Sequence, residues 1–243
     1  MINESNNEKT LEIYERFYFK TLDALTSKTK PQDLKKTLSN ARKDTDNLLN
    51  EELLSSGSKI ACCAGCFYCC HLKVDVMPGE AFIIADFIRT NFSTEKQQSV
   101  LTKAKSNWEK VEPMTYSEQF VANLPCPLLD NGVCSVYPVR PGLCRIHHST
   151  KVEPCKESFE EPELLSQPDY YVNNVRLATA RSFIATNKAL ENLGFDTKAY
   201  DINGALIECF SNPHAEKRWR KMKSAFPKNM IAKEPQEQAN EKS

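Results

Sequence analysis

Residues 62–71 read Cys62-Cys63-Ala64-Gly65-Cys66-Phe67-Tyr68-Cys69-Cys70-His71, which places five thiols within ten positions. Two residues between cysteines let one tight turn aim both sulfurs at a single ion. A core built only for packing does not need thiols at that density. The rest of the chain is therefore read as a frame for this stretch and for whatever it pairs with.

Its partner lies downstream. Cys126-x7-Cys134-x9-Cys144-x10-Cys155 supplies four more thiols from a segment dense in Pro, Gly and Cys, residues 123–155, that cannot be a long helix. Asp130-Asn131-Gly132 is a hairpin turn signal, with Val133 to Tyr137 as the returning strand. Nine of the ten cysteines lie between Cys62 and Cys155. The ligand set expected from spacing is Cys63, Cys66, Cys69, Cys70, Cys126, Cys134, Cys144 and Cys155. Cys62 and Cys209 fall outside it. Eight thiols suffice for two four-thiolate sites, one binuclear site, or an iron–sulfur cluster with thiols to spare. Adjacent residues in an extended chain point to opposite sides, so Cys63, Cys66 and Cys69 are expected to share a centre while Cys70 turns toward the distal group. Thiolates suit zinc and iron alike, so softness does not choose the metal. The spacing Cys62-x3-Cys66-x2-Cys69 also matches that of radical S-adenosylmethionine enzymes, although no repeated strand–helix alternation accompanies it. Arg140 and Arg145 flank Cys144 and Lys73 follows the first element, placed to offset thiolate charge. His71, His147 and His148 sit beside cysteines as further candidate ligands. Buried reduced thiols and redox disulfides are the competing readings.

Outward from these loops the pattern is helical, so the fold class is mainly α, with helices framing irregular cysteine-rich loops and a small hairpin. Residues 9–26 place Leu11, Tyr14, Phe17, Tyr18, Leu22 and Leu25 at helical spacing. A second helix is expected from Pro31 to Gly57. Leu72 to Met77 alternates like a strand, Pro78-Gly79-Glu80 opens a helix, and Thr94 with Gln97 forms a capping box for another over about 94–112. Beyond Pro168, residues 169–193 form a helix with Val175, Ala178, Phe183, Ile184 and Leu190 on one side, ended by Gly194. Shorter helices follow at about 203–210 and from Pro213 to Phe226. The organisation expected is a helical segment at 1–57, the cysteine region at 58–160, C-terminal helices at 161–227 packed on it, and a polar, disordered tail at 228–243.

Composition narrows the function. Lysine plus arginine equals aspartate plus glutamate at 32 each in 243 residues, so no global field exists to hold nucleic acid. The basic stretch 214–223, HAEKRWRKMK, reads as a solvated face or partner helix. The first twenty residues do not read as a secretory signal, and the longest apolar run, Ala81 to Ala85, is too short for a bilayer. A cytoplasmic location is expected, where thiols stay reduced and clustered cysteines are metal ligands before they are disulfides. No membrane is implied, and a protein partner is left open. No catalytic triad, phosphate loop or paired carboxylate stands out.

The two cysteine blocks resemble the YkgJ-type cysteine-cluster family, described as zinc- or iron-chelating. The resemblance is carried by Cys63, Cys66, Cys69 and Cys70, by Cys126-Pro127-Leu128, by Cys134-Ser135-Val136-Tyr137, and by Arg140-Pro141-Gly142-Leu143-Cys144-Arg145. It spans about residues 62–155 and implies metal chelation by zinc or iron, an iron–sulfur cluster included. A flagellin lysine N-methylase is similar in its cysteine block, which implies an iron–sulfur-dependent protein-modifying enzyme as the alternative.

Overall fold

The computed structural model describes residues 4–27, 33–163 and 170–235. The order of elements is α1 (Glu4–Thr26), α2 (Leu34–Ser56), β1 (Asp75–Val76), α3 (Pro78–Asn91), α4 (Thr94–Val111), α5 (Tyr116–Val121), β2 (Leu129–Asp130), β3 (Val133–Cys134), α6 (Gly142–Ile146), α7 (Glu153–Glu160), α8 (Asn173–Asn192), β4 (Tyr200–Asp201), α9 (Ile202–Ser211) and α10 (Ala215–Arg220). The fold is mainly helical, as the periodicity predicts.

Two apolar groups hold it together. The larger joins α3, α4, α9 and α10, where Ile84, Ile88, Leu206 and Trp219 are wholly buried. The Trp219 indole donates to the Asp196 carbonyl at 2.8 Å. The smaller packs α1 and α2 against α8 through Ile13, Phe17, Leu48, Ala178 and Ala185. Among the described residues both sheets are two-stranded and antiparallel, one pairing β2 with β3 and the other pairing β1 with β4 across 124 positions of sequence (Val76 opposite Tyr200). A β/α barrel, which radical S-adenosylmethionine chemistry normally uses, is not formed by the described residues.

Several boundaries differ from expectation. In α1 the buried line is one step out of phase with the expected one: Leu11 is 57% exposed and Ile13 only 6%. The helix packs on α2 and α8 through Ile13, Tyr14, Phe17 and Tyr18, and no periodicity reading could weigh that partner. The start of α2 is set by Asp33, whose carboxylate accepts from the Lys35 and Lys36 amides, while Pro31 and Pro168 lie outside the described residues. Gly57 ends that helix in the left-handed region, at φ +63°. Ser93, not Thr94, caps α4, and Gln97 donates instead to the Phe92 carbonyl. Along α8 Ile184 is exposed, and Thr179, Ser182 and Ala185 take the buried positions. The expected helix from Pro213 to Phe226 is shorter, because Met222 takes φ +58° and breaks it.

The expected disordered tail is corrected over its first part. Residues 228–230 form a 3-10 turn, Met230 is buried, Ile231 bridges to Tyr200, and the Ala232 amide donates to the Ala199 carbonyl at 2.9 Å. One methionine and one isoleucine suffice to dock a polar segment when a strand edge is waiting for it. Residues 236–243 lie outside the described residues. The basic stretch 214–223 is also largely consumed: Trp219 is core, Arg218 pairs with Glu208, and Arg220 pairs with Glu216 and Asp33. No helix among the described residues is long and apolar enough to cross a membrane.

Candidate metal centre

The first cysteine block is shaped by two tight turns. Gly65 takes φ +89°, a conformation that favours glycine, and brings the Cys66 amide to the Cys63 carbonyl at 3.1 Å. Tyr68–His71 then form one 3-10 turn. That turn alters the expected splay of neighbours. Successive side chains on a helical turn diverge less than on an extended chain, and the Cys69 thiol is within hydrogen-bonding reach of Cys70.

The second block is presented by the hairpin and two short helices. Asn131 and Gly132 take φ +49° and +77°, the pairing of a two-residue type I′ turn, and set Leu129 opposite Cys134. Gly132 lies against the Gly65 loop, so the tip of the hairpin rests on the first block. The Cys126 amide donates to the Cys70 carbonyl at 2.7 Å, a direct tie between the blocks. Cys144 rides on α6, whose first amide, Gly142, is held at 2.6 Å by the buried Glu80 carboxylate from α3. Cys155 rides on α7. Ser149 joins the ends, accepting from the Ala61 amide and donating its own amide to Cys62 Sγ at 3.4 Å.

Cys69 sits at the junction of these pieces. Its sulfur is felt by Cys62, Cys66 and Cys155 on one side and by Cys134 and Cys144 on the other. Cys126 neighbours Cys144 and Cys134. Burial, with the Cys69 and Cys134 sulfurs adding to it, pushes the Cys144 thiol up to about 12. Cys69 is held above the ordinary thiol range by its hydrogen bond with Cys70 and then by burial. Electrostatically the eight expected ligands form one linked set, which Cys63 joins through Cys62 and Cys70 through Cys69. Cys62 itself, which the block spacing leaves out, stands inside the group; the x3-x2 spacing to Cys66 and Cys69 is the signal that could have found it. Cys209 belongs to the apolar core beside Arg89 and is remote from the others. Among the described residues no three cysteine, histidine or carboxylate side chains converge as a ready metal site. The sulfurs are neighbours, not a closed cage.

The cations divide unexpectedly. Arg140 faces the thiols, lowering Cys62, Cys69, Cys134 and Cys144, and its Cζ lies 4.3 Å from the Tyr137 ring centre. Arg145 does not. It is buried, pairs with Asp46 of α2 and donates to the Pro138 and Arg140 carbonyls, so it clamps the loop in place. Lys73 is spent on Asp75. The sequence gives no hint of Arg42, which reaches from α2 to the Val139 and Arg140 carbonyls and sits beside Cys144. Burial pushes its guanidinium down to about 10. The Nε and Nη1 of Arg42 and the Nε of Arg140 are buried without a hydrogen-bond partner among the described residues. Orphaned donors of this kind suit sulfur that carries negative charge, so the residues present fit a thiolate-bound metal.

The histidines are mostly occupied. His148 is buried, with Nε2 accepting from the Val172 amide and Nδ1 against the Ile146 carbonyl, so both nitrogens serve the fold. His71 Nδ1 meets the Phe67 carbonyl, and His147 Nδ1 meets the Tyr171 hydroxyl at 3.2 Å.

Residues 62–167, less than half of the chain, match the family model CxxCxxCC, described as "Putative zinc- or iron-chelating domain". The cysteine segment carries that domain. Its match begins at Cys62, the residue that the structure adds to the thiol group. No curated protein and no solved structure matches the chain.

Proposed function

We propose that this protein binds zinc or iron through thiolates gathered around Cys69, and that the metal ties the Cys62–Cys70 turns to the hairpin and to α6 and α7. The ligands are drawn from Cys62, Cys63, Cys66, Cys69, Cys70, Cys126, Cys134, Cys144 and Cys155, with Arg140 and Arg42 as the N–H donors that offset their charge. The observation that carries this reading is the assembly of thiols from two distant segments around one residue, beside buried guanidinium nitrogens left without partners. A bound metal would supply a positive charge and a fixed coordination geometry. Glu80, Ser149 and the Asn131-Gly132 turn hold the backbone that delivers the sulfurs.

The test is purification without oxygen, followed by elemental analysis, sulfide determination and an absorption spectrum. Zinc or iron at one or more equivalents, lost in Cys69→Ser, is the expected result. A reduced, metal-free protein that takes up neither metal and folds equally well after chelator treatment overturns the reading. Acid-labile sulfide with a brown spectrum selects an iron–sulfur cluster; colourless protein with zinc selects a structural site.

A further inference from the structure

We infer that the cavity between the Tyr68–His71 turn, α7 and the start of α8 is a binding site for a small planar carboxylate. It goes beyond the metal centre and does not depend on it, although Cys69 and Cys155 form one wall and place any occupant beside the thiols. The cavity measures about 210 Å³, larger than the roughly 150 Å³ space that admits a benzene ring. Aromatic rings line it. Phe159 lies 5.6 Å from Tyr68 and 4.8 Å from His71 between ring centres, and Tyr171 lies edge-on to His147. The left-handed Asn123, at φ +49°, donates its side-chain amide to the Phe159 carbonyl at 2.9 Å and fixes that end of α7. Such walls accept a flat body by stacking or edge contact.

The charge pattern selects the sign of the occupant. Among the described residues no aspartate or glutamate lines the cavity, so the negative charge a guest could meet is that of Cys69 and Cys155, which a bound metal would offset. Arg176 stands at the exposed mouth, its guanidinium 4.5 Å over the Tyr171 ring and without an acidic partner among the described residues. A guanidinium held flat in this way can receive a carboxylate with two parallel N–H donors. Burial lowers the pKa of His147, keeping it neutral. His147 Nδ1 meets the Tyr171 hydroxyl at 3.2 Å; in the tautomer that accepts there, Nε2 carries the proton and is a second donor.

Benzoate is the probe, titrated into the full chain by ligand-observed NMR, with benzamide and benzylamine as neutral and cationic comparators. Saturable benzoate binding is expected, weaker for benzamide and weaker still for benzylamine. Arg176→Ala should weaken benzoate at least tenfold, and Arg176→Lys less. Arg176 is exposed and its side chain makes no hydrogen bond among the described residues, so the variant should fold. Ser158→Phe, which fills the cavity from its wall, should also abolish binding. No saturable binding, equal affinity in Arg176→Ala, or tighter binding of benzylamine overturns the proposal. Metal content measured on the same samples keeps the two readings separate: metal without benzoate binding sinks this one alone, and benzoate binding without metal sinks the other alone.

Discussion

The core around Trp219 and the loops around Cys69 treat buried polar groups differently. In the core, Asp196 alone satisfies three donors. Its carboxylate accepts from the Tyr200 hydroxyl at 2.6 Å and the Ala225 amide at 2.9 Å, and its carbonyl takes the Trp219 indole. In the cysteine loops, guanidinium nitrogens of Arg42, which feels Cys144, and of Arg140 are buried without partners among the described residues, and burial and neighbouring thiols raise the pKa of Cys144. The first region is complete with protein atoms alone. The second is arranged for something that carries positive charge at its centre and leaves negative charge on sulfur. Buried donors cost free energy when unmatched, so their concentration beside the thiols marks where the fold expects a ligand.

Removing metal is the widest test of this difference. Structural zinc is worth about 10–16 kcal/mol in small peptide systems, and a chelator should release the loops before the core. Hydrogen exchange should accelerate at least tenfold for amides of 62–72 and 126–155, while α3, α4 and α9 keep their protection. Equal acceleration everywhere would show that the two regions are one cooperative unit.

The reverse break is Trp219→Ala, which empties the centre of the larger apolar group. A loss of about 3–5 kcal/mol in chemical denaturation is expected, with metal per folded molecule unchanged. Loss of metal at full folding would tie the core to the thiols more closely than the contacts suggest.

The C-terminal segment sharpens the boundary of the core. Truncation after Phe226 removes buried Met230 and the Ile231–Tyr200 bridge and should cost about 1.5–3 kcal/mol. Truncation after Gln236 should leave the melting temperature unchanged. If both shortened chains melt like the full chain, the docking of 228–233 contributes nothing.

Two cysteines make the smallest and most pointed comparison. Cys209→Ser buries a hydroxyl in the core and should cost about 1–3 kcal/mol with metal stoichiometry intact. Cys62→Ser, at an exposed position, should cost little stability in the chelated protein but lower the metal content of the loaded one. The opposite pattern would return Cys62 to the bystander role that the block spacing assigns it.

Much of this was legible in the chain. The helices over α3, α4 and α8 follow from periodicity, and the 131–132 turn follows from Asn-Gly, because both signals are local: a side-chain stripe every 3.6 residues, and a backbone that only a few residue types can adopt. The density of cysteines likewise announced a thiol group, since chelate spacing is a property of one short segment. What only tertiary structure decided was how distant pieces meet. Whether Cys69 and Cys70 diverge depends on a 3-10 turn with no strong sequence mark. Whether Arg140, Arg145 or Arg42 faces the sulfurs depends on Asp46 of α2 capturing Arg145 and on α2 lying against the loop. The docking of Met230 and the pairing of Val76 with Tyr200 depend on edges that exist only after the helices have packed. Local conformation is encoded within a few neighbouring residues, whereas the choice among equivalent arginines, cysteines and apolar tails is made by whichever partner the packed frame brings within reach.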